Sequence, residues 1–327
     1  MTHDTTPDNT TPDNTTPDNT PKTRKQGFTL IELLITLVVG MLVISAAVSI
    51  TIASNRMFRV DRARTRMNQN LRASSDLIGT DVRTAGSYLP NSGLQPVVVR
   101  SGNELEIRRS LLSSTLPVCV DIKGQGTDVI KIGSPGNSTP DRPACDDEGR
   151  DADNDGWPDD LAEWRDYRLD TDVNTAGTVA VYIWPASDGS SGEFFIYDDE
   201  DNSQQQIHKG PGQWQHQYVG ENEPNMYVLE MRRYQLSDDG ILQLIINGNE
   251  DNPLNLVNNI TDFQVRAVLT DGTIVEDFGD GMNNTTDKFT DIASIEINVQ
   301  AEEEVMPDQL VSRELNNRFF PRNILNF

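Results

Sequence analysis

Six carboxylates crowd one short stretch of the chain, Asp151-Ala152-Asp153-Asn154-Asp155-Gly156-Trp157-Pro158-Asp159-Asp160-Leu161-Ala162-Glu163. Acids at alternate positions can converge on one hard cation, and the glycine after the third permits the sharp turn that convergence needs. The pattern matches the first half of an EF-hand-type calcium loop. The expected donors are Asp151, Asp153, Asp155, the Trp157 carbonyl, Asp159 and Glu163. Position 12 is Ala162 where such a loop has Glu, Glu163 falls one place late, and Pro158 intrudes. Residues 151–163 are therefore expected to form a calcium loop without the usual flanking helix pair, with Ca2+ in a structural role. The competing reading is a solvated acidic turn. Asp198-Asp199-Glu200-Asp201 and the acids from Asp277 to Asp287 read as loops.

Covalent chemistry finds no set of residues to carry it. There is no G-x-S-x-G, no H-E-x-x-H and no phosphate-binding P-loop, and neither cysteine has a histidine beside it. His3, His208 and His216 are the only histidines. The expectation is a protein that is not an enzyme.

The second pointed position is Glu32. It lies inside FTLIELLITLVVGMLVISAAVSITI, residues 28–52, which is otherwise apolar apart from scattered Ser and Thr. As a helix this run is about 37 Å long, enough to cross a hydrocarbon layer of roughly 30 Å. A carboxylate there costs about 2.5–3.5 kcal/mol on insertion scales, so it needs a partner. Lys22, Arg24 and Lys25 precede the run and predict a cytoplasmic N-terminus and a single membrane pass. Before them, TTPDN occurs three times within residues 5–19. A proline every fifth residue and almost no apolar side chain predict disorder for this leader.

Composition agrees with an anchored chain. With 27 Lys and Arg against 51 Asp and Glu the formal charge is −24, which argues against a nucleic-acid-binding role. From residue 80 onward, 44 acids face 18 bases. By contrast Arg56, Arg59, Arg62, Arg64, Arg66 and Arg72 form a basic band after the apolar run. That band suits lipid headgroups or acidic neighbours.

Helical spacing continues past the membrane segment. Ala53, Met57, Val60, Ala63, Met67, Leu71, Ser74, Ile78 and Val82 recur at a mean of about 3.6 residues, one face of a helix. No proline lies between Pro21 and Pro90, and Gly86 is a stop signal. One helix is expected from about Phe28 to about Ala85, roughly 87 Å if straight. Its halves are residues 28–52, transmembrane, and 53–86, amphipathic.

KQGFTLIELL, with Gly27 before the apolar run and Glu32 inside it, resembles the signal of type IV prepilins. The resemblance implies cleavage of the Gly27–Phe28 bond by a prepilin peptidase, removing leader 1–27, and N-methylation of Phe28. It makes Glu32 the assembly carboxylate, able to meet a new α-amine at Phe28 on its own or a neighbouring helix. Ser54, Asn55, Arg56, Arg59, Asn70, Arg72, Asp81, Val82, Arg83, Ala85 and Gly86 follow a succession similar to that of the PilW group of minor pilins, and LVNNITDFQVRAVL (256–269) resembles that group's late strand. The implied role is a minor pilin in the priming or tip complex of a type IV pilus. Its implied partners are other minor and major pilins and the inner-membrane assembly platform. The chain would sit in the inner membrane with its domain periplasmic, and later in the pilus at the cell surface. The alternative is a minor pseudopilin of a type II secretion system, which uses the same signal. Calcium sites occur in some pilins and pseudopilins.

Residues 87–327 read as one β-rich domain, giving an α+β class: a long N-terminal helix packed on an antiparallel sheet in a pilin-like roll. Candidate strands are 96–100, 104–108, 117–122, 128–132, 178–184, 193–197, 226–236, 241–247, 260–269 and 292–300. Asp239-Gly240 reads as a hairpin turn and Asp271-Gly272 as a second turn. Residues 133–177 read as irregular, an insertion. In an exported domain Cys119 and Cys145, the only cysteines, are expected to form a disulfide that closes a loop worth about 3–4 kcal/mol.

Overall fold

The computed structural model describes residues 27–89, 93–124, 126–133, 145–146, 150–153, 155–170, 178–189, 192–279, 288–307 and 309–323. The leader before Gly27, much of 133–177 and most of the 277–287 acidic stretch lie outside the described residues. The chain divides into two compact units, Met1–Phe58 and Arg59–Phe327. One helix, α1 (Leu30–Thr84), contributes to both. In the first unit its side chains are exposed, and the helix is long and apolar enough to cross a membrane.

In the second unit the expected helix face is the buried one. Val60, Ala63, Met67, Leu71, Ser74, Ile78 and Val82 are all buried, and so are Ser75, Gly79 and Asp81 beside them. The helix ends at Thr84, and Gly86 takes a left-handed φ of 75° while its N–H donates to the Arg108 carbonyl.

The apolar face of α1 packs on two antiparallel sheets. The first contains β1 (Val97–Arg100), β2 (Glu104–Ser110), β9 (Leu229–Leu236), β10 (Leu242–Ile246) and β11 (Leu254–Val257), in the order β1-β2-β9-β10-β11. The second contains β12 (Ile260–Leu269), β13 (Ile274–Val275), β14 (Ile292–Met306) and β15 (Gln309–Phe319), in the order β13-β12-β14-β15. Inward residues of both sheets, Leu105, Ile107, Tyr234, Phe263, Val265, Ile295 and Ile297 among them, join α1 in one core. Asp239-Gly240 turns β9 into β10 and Asp271-Gly272 turns β12 into β13, each glycine at positive φ.

The third sheet has its own core. It orders β3 (Leu116–Pro117), β8 (Asn225–Tyr227), β5 (Val179–Trp184), β6 (Glu193–Asp201), β7 (Gln206–Lys209) and β4 (Val129–Lys131), and it is also antiparallel. Helix α2 (Asp159–Asp170) buries Leu161 and Trp164 in this second core with Ile130, Val181, Phe195, Tyr197, Ile207 and Tyr218. Cys119 and Cys145 are joined, with Cα atoms 5.7 Å apart.

These sheets correct several readings from sequence. Residues 226–236, taken as one strand, are two strands of different sheets, because the chain crosses from the third sheet to the first at Val228. The insertion is also larger than 133–177, since everything from Leu111 to Val228 lies between paired strands β2 and β9. Strand β15 was not foreseen: most of its residues are exposed, so it carries little apolar alternation. Only Val311 and Phe319 are buried on it.

Phe319 explains Gly79. A Cβ at position 79 would lie 2.3 Å from Phe319 Cε1, so the ring of β15 crosses α1 where the helix has no side chain. Gly79→Leu is expected to lower unfolding stability by about 1–3 kcal/mol through overpacking. Phe319→Ala in the same chain should recover part of that loss, as read by the urea midpoint of each variant.

Candidate functional site

The sequence points to three places, and the structure positions each by different means. At the start of α1, Thr29 and Glu32 form a reciprocal cap. The Thr29 backbone N–H donates to Glu32 Oε2 at 3.0 Å, the Thr29 hydroxyl donates to the same oxygen at 3.1 Å, and the Glu32 N–H donates to Thr29 Oγ1 at 3.3 Å. This is a capping box, T-x-x-E, in which each residue satisfies a backbone donor of the other. The carboxylate in the apolar run is therefore held by its own helix terminus. Gly27 lies two residues before that cap, and a Cβ there would meet nothing within 4 Å. The Gly27–Phe28 bond thus sits in open backbone next to the ordered helix start.

The second place is the far end of α1. Asp81 is 3% exposed, and there it accepts a hydrogen bond from the Tyr234 hydroxyl and pairs with Arg232 Nε at 3.0 Å. Burial pushes its carboxyl above the ordinary aspartate value, and Tyr234, Arg232 and Arg109 offset that only in part. Next to it, Arg109 donates to Glu230 at 2.7 Å and to the Thr84 hydroxyl at 3.1 Å. Arg83 lies over the Phe319 ring, and the Ala85 carbonyl accepts from Asn323. The Asp81-Val82-Arg83…Ala85-Gly86 succession is thus the set of contacts that fixes α1 to strands β2, β9 and β15. Spacing alone did not reveal this, because a lone Asp on an apolar helix face gives no hint of its partner.

Upstream, the basic band is partly answered from within the chain. Arg66 pairs with Glu303 of β14. Arg59 and Arg62 line a hollow of about 370 Å³ with Glu303, Glu304 and Val305.

The third place is the acidic loop. The carboxylates of Asp151, Asp153 and Asp159 each bring an oxygen within 4.8 Å of the others. Asp151 accepts from the N–H groups of Asp155 and Gly156 at 3.1 and 3.0 Å, so its side chain closes the turn. Gly156 has φ 90°, a conformation that the expected sharp turn requires. The Gly156 carbonyl also accepts from Asn202, which brings the Asp198–Asp201 strand end against the loop. Asp155 and Glu163 stand outside the group of three. Asp155 accepts from the Trp157 N–H at 2.8 Å, and Glu163 accepts from the Ser113 hydroxyl at 3.3 Å. A helix does flank the loop on one side: α2 begins at Asp159, whose carboxylate accepts from the Ala152 N–H. Arg150 fastens the loop base, pairing with Asp160 at 2.8 Å and donating to the Ile132 carbonyl.

Residues 22–48 match the family model described as the prokaryotic N-terminal methylation motif. No curated protein and no solved structure matches the chain. The matched segment contains Gly27, Phe28 and Glu32 and the start of α1. The motif is that of type IV pilin-like and pseudopilin precursors, which a prepilin peptidase processes, and among the described residues α1 is the one helix long and apolar enough to cross a membrane.

Proposed function

We propose that this chain is a minor pilin of the PilW kind that helps prime type IV pilus assembly. It is cleaved between Gly27 and Phe28, methylated on Phe28, held in the inner membrane by residues 28–52 with its domain in the periplasm, and then built into the pilus. Its partners are other minor and major pilins and the inner-membrane assembly platform. Its role is structural, without catalysis and without nucleic acid. One observation carries the reading: the methylation motif opens a helix, α1, that is apolar and exposed at its start and fixed to a β-rich domain at its end. Such a helix supplies both an anchor and a packing element for neighbouring helices. The acidic surface also suits a subunit used in few copies, since like-charged domains repel.

The second reading, a minor pseudopilin of a type II secretion system, rests on the same motif. Deleting the gene separates the two. Lost surface pili with normal protein secretion supports the pilus reading. Normal pili with impaired secretion moves the chain to the pseudopilus, and no change in either sinks both.

Calcium belongs to this proposal as a structural ligand of the 151–159 loop. Asp151, Asp153 and Asp159 are the residues that would hold it. Calorimetry on the purified protein is expected to register uptake at millimolar calcium or below, in the range of exported calcium modules. Asp151→Asn with Asp153→Asn should abolish that uptake. Absence of heat at millimolar calcium counts against the loop as a metal site.

A further inference from the structure

The last register pair of β2 and β9 is Ser110 with Leu229, and the next backbone link is the Leu111 N–H donating to the Val228 carbonyl at 2.8 Å. The 118 residues between leave and return at adjacent points of one hairpin. Every strand of the third sheet lies within that stretch, and neither other sheet borrows from it. The two large cores divide in the same way. Among the described residues, the one around α1 has no member from 111–228, and the other has no member outside it. The disulfide closes inside the stretch. A smaller cluster forms the seam, where Leu89, Leu94 and Leu229 meet Tyr182, Trp184 and Tyr227.

Charge separates along the same line. Residues 111–228 hold 23 Asp and Glu against 7 Lys and Arg, whereas segments 59–110 and 229–327 together hold 23 against 16. Two thirds of the chain's net negative charge thus lies on the stretch that α1 does not use in its core.

We propose that residues 111–228 are a guest domain, set into one hairpin of a host that anchors and assembles without it. The assembly half of this inference rests on the pilin or pseudopilin reading above. The host keeps α1, its basic band, the Asp81 fixture and both sheets that cover the helix. What the guest removes from the host by leaving is the cover over Leu89, Leu94, Leu229 and Met231.

The first test replaces 111–228 of the full-length chain by Asn-Gly, a two-residue turn suited to joining Ser110 to Leu229. The expected result is a processed chain that restores whichever function the gene deletion removes. A shortened chain that accumulates and is processed, yet restores nothing, overturns the proposal. The second test applies even if the shortened chain fails to accumulate, or if the deletion has no phenotype. It follows amide exchange in the detergent-solubilised full chain with and without a reductant. Opening the Cys119–Cys145 bond should speed exchange in β5, β6 and β8 by at least about tenfold and leave β2, β9, β12 and β14 unchanged. Equal acceleration in both sets makes the two parts one cooperative unit, which sinks the guest assignment without touching the pilin reading.

Discussion

Asp81→Ala is expected to cost the unfolding free energy about 3–5 kcal/mol, because it leaves the buried Tyr234 hydroxyl and the half-buried Arg232 guanidinium without their partner. That is a large share of the 5–15 kcal/mol of a typical domain. The milder Asp81→Asn separates charge from hydrogen bonding. Burial raises the Asp81 carboxyl above its ordinary value, so the folded state binds this proton more tightly than the unfolded state does. Its contribution is then fully present below the ordinary aspartate value and is lost as pH rises through the raised, folded-state value. The difference in unfolding free energy between wild type and Asp81→Asn should shift towards the variant as pH rises across that window. Denaturant titrations at several pH values measure it, and a difference that is flat with pH removes the argument. Glu106 acts in the opposite sense. Its burial alone would raise its pKa, but Arg108 and Arg100 beside it outweigh that and hold the carboxyl below the usual range. Its stabilising share is present above the ordinary glutamate value and is lost as pH falls through its lowered one. The comparison with Asp81→Asn cancels this second contribution, because Glu106 is common to both chains.

Glu32→Ala should leave cleavage intact and sharply reduce assembly. In the proposed processing, pairing the Glu32 carboxylate with the α-amine that cleavage would create at Phe28 would neutralise two charges in an apolar layer. If losing that pairing costs about 2.5–3.5 kcal/mol, the packing equilibrium falls on the order of 100-fold. The capping box adds a confounding role, since Glu32 also satisfies the Thr29 N–H. Glu32→Gln resolves it, because Gln can cap as Glu does but carries no charge. Equal assembly defects in Glu32→Ala and Glu32→Gln, with normal processing of both, are the expected outcome. Full assembly of the Gln variant would assign the residue to capping alone. The precursor-to-mature ratio by immunoblot and the yield of sheared filaments give the two readouts.

What could be read from the sequence was whatever has a short period or a short span. The spacing of Val60, Ala63, Met67, Leu71, Ile78 and Val82 is set by the 3.6-residue turn, so the face of α1 that the sheets cover was visible before any sheet was placed. The apolar run, the Gly27–Phe28 junction and Glu32 are local in the same sense. Strong β-branched alternation placed β12, and Asp-Gly pairs placed two turns. Edge strand β15 was not legible, because its outward side chains are polar and only its pairing with β14 gives it a strand's place. Helix α2 lies wholly inside 133–177, which reads as irregular from sequence, because the acids that favour its N-terminus are the same acids that suggest a metal site. Tertiary structure alone decided that Asp81 belongs to Tyr234 and Arg232, more than 150 positions away. It also decided that Gly79 makes room for Phe319, and that strands 116 to 227 close on themselves without joining the roll around α1. Those choices depend on which distant surfaces bury one another, and burial is a property of the folded packing that no local spacing encodes.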